Sequence, residues 1–198
     1  MLDAPTQLLV SRGLKEGSRD AWAKLYFAYS VELWRYVARL VGSDAAAVAD
    51  IVQESFLDAA RSARQFDSDR GTLWNWLCGI AHHRVLAYWR QSSRTRRLLE
   101  TIEQRPGEFA SPLVEGAVLD ASLQHKEISE VVHYVLAQLP LDYSALLAAK
   151  YCDDRSLDEL AKHTGGTVDA VKSKLARARR EFRLVYERMA QPAAAAAR

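Results

Sequence analysis

Two cysteines in 198 residues, Cys78 and Cys152, are too few for a disulfide framework. They lie far apart in apolar contexts with no CxxC spacing, and they read as buried free thiols of a reducing cytoplasm. Glycine (9) and proline (5) are sparse, and the alternation of a half-buried strand is absent, which leaves an all-α chain. No apolar run approaches the roughly 20 residues that span a bilayer, and no signal-peptide pattern opens the chain, so no membrane insertion is expected. The five histidines have no ligand spacing, and the adjacent His82 and His83 point apart on a helix, so neither a metal nor a cofactor is expected. No nucleophile, base and orienting group occur together, and the chain is read as having no catalysis of its own.

Charge of one sign is also lacking overall, at 27 cations against 25 acids, but it is segregated along the chain. Residues 66–97 hold three of the five tryptophans (Trp74, Trp76, Trp89), and five arginines with no acid fall between Arg84 and Leu99. Gly71 breaks what precedes it and Thr72 is placed to cap a helix. Leu73, Trp76, Leu77, Ile80, Arg84 and Tyr88 then recur at helical spacing. Aromatics interleaved with cations suit single-stranded nucleic acid, where bases stack on rings at about 1–3 kcal/mol each and cations neutralise phosphates. A core role for the rings, with the arginines as a solvated face, explains the same residues equally well. Trp76 and Leu77 share a stripe with Ile80 and are expected in the core, whereas Trp74, Tyr88 and Trp89 cannot all lie on it.

Upstream, residues 5–17 predict a short helix closed by Gly17, and a second runs from about Arg19 to Val41 with Ser18 or Asp20 as cap. Its stripe of Trp22, Leu25, Tyr26, Tyr29, Leu33, Tyr36, Val37 and Leu40 requires a partner helix. A third helix turns Val48, Ile51, Val52 and Phe56 inward and stacks Asp50, Glu54 and Asp58 at i, i+4 on another face. Such like charges repel by a few tenths of a kcal/mol per pair, on the order of an exposed helix pair, and a basic partner would relieve them.

From Glu100 to Glu130 seven acids face two cations, and Pro106-Gly107 and Ser111-Pro112 break any helix. This is an acidic linker. Beyond it Val131, Val132, Val135, Leu136 and Leu139 predict a helix stopped by Pro140, and Asp142 is placed to cap the next. Ser156 and Glu159 have the spacing of a capping box. A turn at Gly165-Gly166 and a cap at Thr167 lead into a basic helix. Helix, glycine turn and basic helix make a helix-turn-helix, which enters the major groove by the N-terminal residues of its second helix.

These segments are similar to the extracytoplasmic-function branch of the RNA polymerase sigma factors. The resemblance rests on Trp76-Leu77, Ile80-Ala81, His82-His83-Arg84 and Tyr88-Trp89-Arg90, which resemble the family's promoter-melting segment. It also rests on Asp50, Gln53, Glu54 and Phe56, and on Val171-Lys172-Ser173-Lys174-Leu175 with Arg177-Ala178-Arg179. His83 stands where the family usually has Asn, Ala87 where it has Asp, and Thr164 and Gly166 where it has Leu and Ile.

The resemblance implies two small helical domains, residues 1–97 and 128–190, joined by the linker 98–127 and followed by a frayed tail, 191–198. Asp50, Gln53, Glu54 and Asp58 would dock on the clamp helices of the largest subunit of core RNA polymerase, whose flap is a second contact. Trp74, His83, Arg84, Tyr88, Trp89, Arg90 and Arg94 would capture the unpaired −10 strand, in a pocket near Trp74, His83 and Tyr88 floored by Arg84 and Arg90. Thr167, Asp169, Ala170, Lys172, Ser173, Lys174, Arg177 and Arg179 would read the −35 duplex. Promoter DNA is thus a partner, an anti-sigma factor a further one, and the compartment the bacterial cytoplasm. Two other readings stay open: a helix-turn-helix regulator that never joins polymerase, and a sigma mimic that binds an anti-sigma factor.

Overall fold

The computed structural model describes residues 2–92, 100, 123–164 and 166–190, and side chains within these except at 123–128, 163 and 190. All regular structure among the described residues is helical, in eight α-helices and one 3-10 turn. The chain divides into two compact units, residues 1–87 and 88–198.

In the first unit every α-helix start carries a side-chain cap. Asp3 accepts from Thr6 N (2.9 Å) to open α1, Ala4–Lys15. Ser18 accepts from Ala21 N (3.4 Å) at the start of α2, Arg19–Val41. Asp44 accepts from Ala47 N (3.1 Å) before α3, Ala45–Ser62, and Thr72 accepts from Asn75 N (3.1 Å) before α4, Leu73–Gln91. Each such cap satisfies an amide that has no intrahelical partner, which is worth about 1 kcal/mol. Gly42 ends α2 at φ 87°, in the left-handed region that favours glycine.

The inner face of α2 is Leu25, Tyr29, Leu33, Tyr36, Val37 and Leu40, all buried. Trp22 is half-buried, and Tyr26, expected in the same stripe, is exposed, because the helix buries a narrower stripe than its apolar content offers. Val48, Ile51 and Val52 of α3 close on it, with Phe56 half-buried at the margin. Gly13 lets α1 approach α2: a Cβ there would lie 2.7 Å from that of Ala21. Gln7 ties α1 to the start of α4, its Oε1 accepting from Leu73 N (3.3 Å) while its Nε2 donates to Leu2 O (3.0 Å).

The second unit contains α5 (Leu123–Gln138), α6 (Leu141–Tyr151), α7 (Leu157–Thr164) and α8 (Val168–Ala190). Its core draws on Val131, Val135 and Leu136 of α5, Leu146 and Leu147 of α6, Leu160 of α7, and Val171, Leu175, Ala178, Phe182, Val185 and Tyr186 of α8. Burying each large aliphatic side chain contributes about 1.5–3 kcal/mol. Pro140 occupies the position before α6, so Asp142 lies inside the first turn and is not the cap. The capping box at α7 forms as its spacing predicts: Ser156 N donates to Glu159 Oε2 (2.8 Å) and Glu159 N to Ser156 Oγ (3.2 Å).

Cys78 is buried, and burial pushes its thiol well up, so it is inert. Cys152, expected to be buried, is exposed just beyond the end of α6. The acidic linker and the C-terminal tail fall almost wholly outside the described residues, as does Gly165 of the turn.

Candidate nucleic-acid interface

The stripe of α4 that reaches the core is not the one its spacing first suggests. Leu73, Leu77, Ala81 and Val85 repeat every four residues and are fully buried, with Cys78 and Trp89 beside them. Trp89, expected to stack on bases, is 1% exposed and falls in the second unit, edge-on to Tyr88 (5.4 Å) and Tyr134 (5.2 Å). It is a core ring. Trp76, expected in the core, is only half-buried, tilted against Phe66 at 5.2 Å. Trp74 is also half-buried, against Tyr29 at 5.6 Å. The α4 sequence is apolar nearly all round, so spacing alone could not choose among its faces.

A shallow open groove of about 590 Å³ runs along α4 beside the end of α3. Ile80, His83, Arg84 and Ala87 line it from α4, and Asp58, Arg61, Ser62 and Gln65 from the other side. The expected pocket is therefore redrawn: His83 and Arg84 meet in one groove, while neither Trp74 nor Tyr88 lines it. Ile80, expected in the core, is half-buried on its wall. Arg90 is exposed, and Arg94 lies outside the described residues.

Across that groove Arg84 binds the acidic face of α3. Its Nε donates to Asp58 Oδ2 at 2.6 Å, its terminal nitrogen also meets that oxygen, and the same nitrogen lies 3.3 Å from Glu54 Oε2. Arg61 adds a contact to Asp58 Oδ1 at 3.1 Å. The hydrogen bond from Arg84 holds the Asp58 carboxyl below its ordinary range, helped by the charges of Arg84 and Arg61 and opposed by burial. The basic partner that the stacked acids require is thus supplied by the chain itself, from a residue 26 positions on. Asp50 and Gln53 remain exposed on the same helix.

Sequence reasoning missed two features. Tyr26, Phe27, Val31 and Trp34 of α2 and Leu57 of α3 are exposed apolar side chains, Phe27 at 82%. The signal was present: α2 carries more apolar residues than one stripe accommodates. The second is a buried polar link, the Tyr36 hydroxyl and His82 Nδ1 at 3.0 Å, which joins α2 to α4.

In the second unit the start of α8 presents Asp169, Ala170, Lys172 and Ser173 to solvent, with Arg177 one turn on. Thr167 caps the helix, its Oγ1 accepting from Ala170 N (3.2 Å). The four cations expected at DNA divide into two pairs. Lys172, Arg177 and Arg179 are all exposed and Lys174 is half-buried; Lys172 pairs with its neighbour Asp169 at 3.3 Å. Lys174 and Arg179 lean back on α6, to Asp142 Oδ2 and the Tyr151 hydroxyl, both at 2.9 Å. Thr164 and Gly166 frame the turn: the Thr164 hydroxyl donates to Leu160 O (2.9 Å) and Gly166 N to Ala161 O (3.1 Å).

Among the described residues no cluster of three or more His, Cys, Asp or Glu is placed to hold a metal, and no helix is long and apolar enough to cross a membrane.

Comparison with known proteins accounts for both units. The family model for sigma-70 region 2 matches residues 25–95, and that for sigma-70 region 4 matches residues 129–182. The chain is 30% identical over 166 residues to the ECF RNA polymerase sigma factor SigL of Mycobacterium tuberculosis, covering 83% of this chain and 88% of that one. It is 28% identical over 175 residues to the ECF RNA polymerase sigma-E factor of Salmonella typhimurium, with 87% and 90% covered. Against SigW of Bacillus subtilis the identity is 25% over 172 residues, with 86% and 91% covered. An all-helical chain with a region 2 segment, a region 4 helix-turn-helix and these relatives belongs to the extracytoplasmic-function sigma factors, and acts as a sigma factor of RNA polymerase in transcription initiation.

Proposed function

We propose that the two units divide the work of a sigma factor, with residues 1–97 docking on core polymerase and holding the unpaired −10 strand, and residues 128–190 reading the −35 duplex. The exposed start of α8 carries the second assignment, since Lys172, Ser173 and Arg177 stand clear on a helix entered through a capped turn. Asp169 and Ala170 lie on the same surface. Lys174 and Arg179 act there by orienting the helix on α6.

For the first unit, the acids of α3 and the exposed apolar side chains of α2 supply a mixed surface for a basic, partly apolar partner helix pair. Asp50, Gln53, Glu54 and Asp58 are its polar part, Phe27 and Leu57 its apolar part. His83 and Arg84 in the groove, with the exposed Arg90, supply the strand-binding side. Trp89 is withdrawn from that role by its burial. The acidic linker joins the two modules, and holding both sites on one duplex raises the effective concentration of each. The protein works in the bacterial cytoplasm without chemistry of its own, and an anti-sigma factor competing for the docking face is a further partner.

The deciding experiment is co-purification with core polymerase, followed by run-off transcription. Glu54→Lys reverses one charge of the docking face at a half-exposed site, so it is expected to keep the helical circular-dichroism spectrum while losing polymerase and transcript. Full polymerase capture by this variant would rule out the docking face.

A further inference from the structure

Helix α1 lies upstream of the region 2 segment, which begins at Leu25, yet one of its side chains reaches the start of α4. The first amides of any helix have no partner within it. At α4 the cap Thr72 takes the Asn75 amide at 3.1 Å, and Gln7 takes the Leu73 amide at 3.3 Å from 66 positions away. Trp74 stands between these two tethered residues. Its ring tilts against Tyr29 at 5.6 Å and is half-buried, whereas Leu73 and Tyr29 are enclosed. Gln7 is fixed in turn, its Nε2 donating to Leu2 O at 3.0 Å. Burial pushes the Tyr29 hydroxyl up, and a backbone hydrogen bond with Leu2 works the other way. Residues 2–7 thus hold both supports of the Trp74 indole, the backbone that carries it and the ring it rests on.

We propose that Gln7 is a positioning residue for strand capture, acting through Trp74 from outside the region 2 segment. Stacking a base needs the indole face held in one place, and any disorder of the ring must be removed on binding. Gln7 supplies part of that order beforehand. Without its oxygen the Leu73 amide loses its protein partner, the first turn of α4 frays, and Trp74 leaves Tyr29 more often. The preceding loop closes a turn of its own, short of the helix, with Asp69 N donating to Asp67 Oδ1 (3.0 Å) and Arg70 N to Asp67 O (3.2 Å). Gly71 follows with open space around it, so the tie to α1 is what steadies the helix start. The inference rests on the reading of the first unit as the strand-holding module, with Trp74 among its contacts.

The probe is a short fluorescein-labelled single strand, selected from a random-sequence pool by the wild-type complex with core polymerase. It is titrated by anisotropy against the polymerase complex of each full-length variant, alongside a melting curve. Gln7→Met has similar length without hydrogen-bonding groups, and is expected to weaken strand binding about three- to tenfold, the scale of one hydrogen bond. Gln7→Glu keeps an oxygen to accept from Leu73, with a charge favoured at a helix N-terminus, and should retain most of the affinity. Ser11→Ala removes a hydrogen bond within α1 alone, to Leu8 O at 2.9 Å, and should leave strand binding unchanged whatever it does to melting. Trp74→Ala should itself weaken strand binding, and adding Gln7→Met to it should change nothing more, because the effect passes through the ring. Capture of polymerase and binding of −35 duplex should be the same for all. Wild-type strand affinity in folded Gln7→Met overturns the inference, as does a Gln7→Glu complex as weak as Gln7→Met, or a Gln7→Met loss of the same size with and without Trp74. Each of those results leaves Trp74 on the strand if Trp74→Ala binds weakly. A Trp74→Ala complex that binds the strand as wild type does removes that reading and the role of Gln7 with it.

Discussion

Helices α4 and α8 were both expected to meet DNA, and they differ in which cations are held within the fold: Arg84 at the middle of α4, but Lys174 rather than Lys172 or Arg177 on α8. Helix α4 is apolar nearly all round, and its mid-helix cation Arg84 is bound to carboxylates of α3. Helix α8 has one clean buried stripe, Val171, Leu175, Ala178, Phe182 and Val185, and its outward cations Lys172 and Arg177 are exposed. A helix whose charges are answered within the fold presents them only when something else satisfies the acids. A helix whose charges face water presents them at all times. On this contrast Lys172 and Arg177 of α8 are open to a partner as they stand, whereas Arg84 of α4 is already held by α3.

The most disruptive way to test the contrast is at the ring that α4 buries. Trp89→Ala removes a fully enclosed indole packed on Tyr88 and Tyr134, and is expected to cost about 3–5 kcal/mol, seen as early melting. Trp74→Ala, which deletes a half-buried ring on Tyr29, is expected to cost less than half of that. Equal melting of the two variants would return Trp89 to the strand-binding role that the resemblance implied.

An intermediate effect is expected at α8. Replacing both Lys172 and Arg177 by Ala should lower the salt slope of duplex binding by about two, close to one for each phosphate no longer neutralised. Replacing Lys174 and Arg179 should change the slope less, because those cations lean on Asp142 and Tyr151. Filter binding of −35 duplex across a salt series reads both. A larger slope change for the second pair would invert the assignment.

Acid supplies the smallest effect and probes both units at once. Asp58 is held below its ordinary value of 3.8 by Arg84, and Glu159 below 4.5 by its hydrogen bonds from Ser156. A depressed carboxyl contributes stability that is fully present above its unfolded value and is lost as pH falls through the folded one. Melting temperature should therefore fall as pH drops below about 4, in the range of unfolded carboxyl values. The Asp58→Asn and Glu159→Gln profiles should each be flatter there than wild type. A variant whose acid limb matches wild type would show that its carboxylate does not couple to folding.

Much of the architecture was legible because it is local. Ser18 and Gly42 bracket α2 where the sequence placed its ends, and Ser156 and Glu159 close the capping box that their spacing announced. Such features depend on residues a few positions apart, and the backbone supplies the rest of the geometry. The stripe of α8 was legible for a related reason: polar residues mark its outer face, so only one face can be inward.

Where no polar face marks the choice, the sequence alone did not decide. It determined that α4 is a helix capped by Thr72 and rich in tryptophan, but not that Trp89 is enclosed while Trp76 is half-open. It placed Asp50, Glu54 and Asp58 on one helical face, but not Arg84 against two of them. That pairing joins residues far apart in the chain through the packing of two helices. Local hydrogen bonds and periodicity are properties of a segment, whereas enclosure and cross-helix ion pairs exist only once separate segments are brought together.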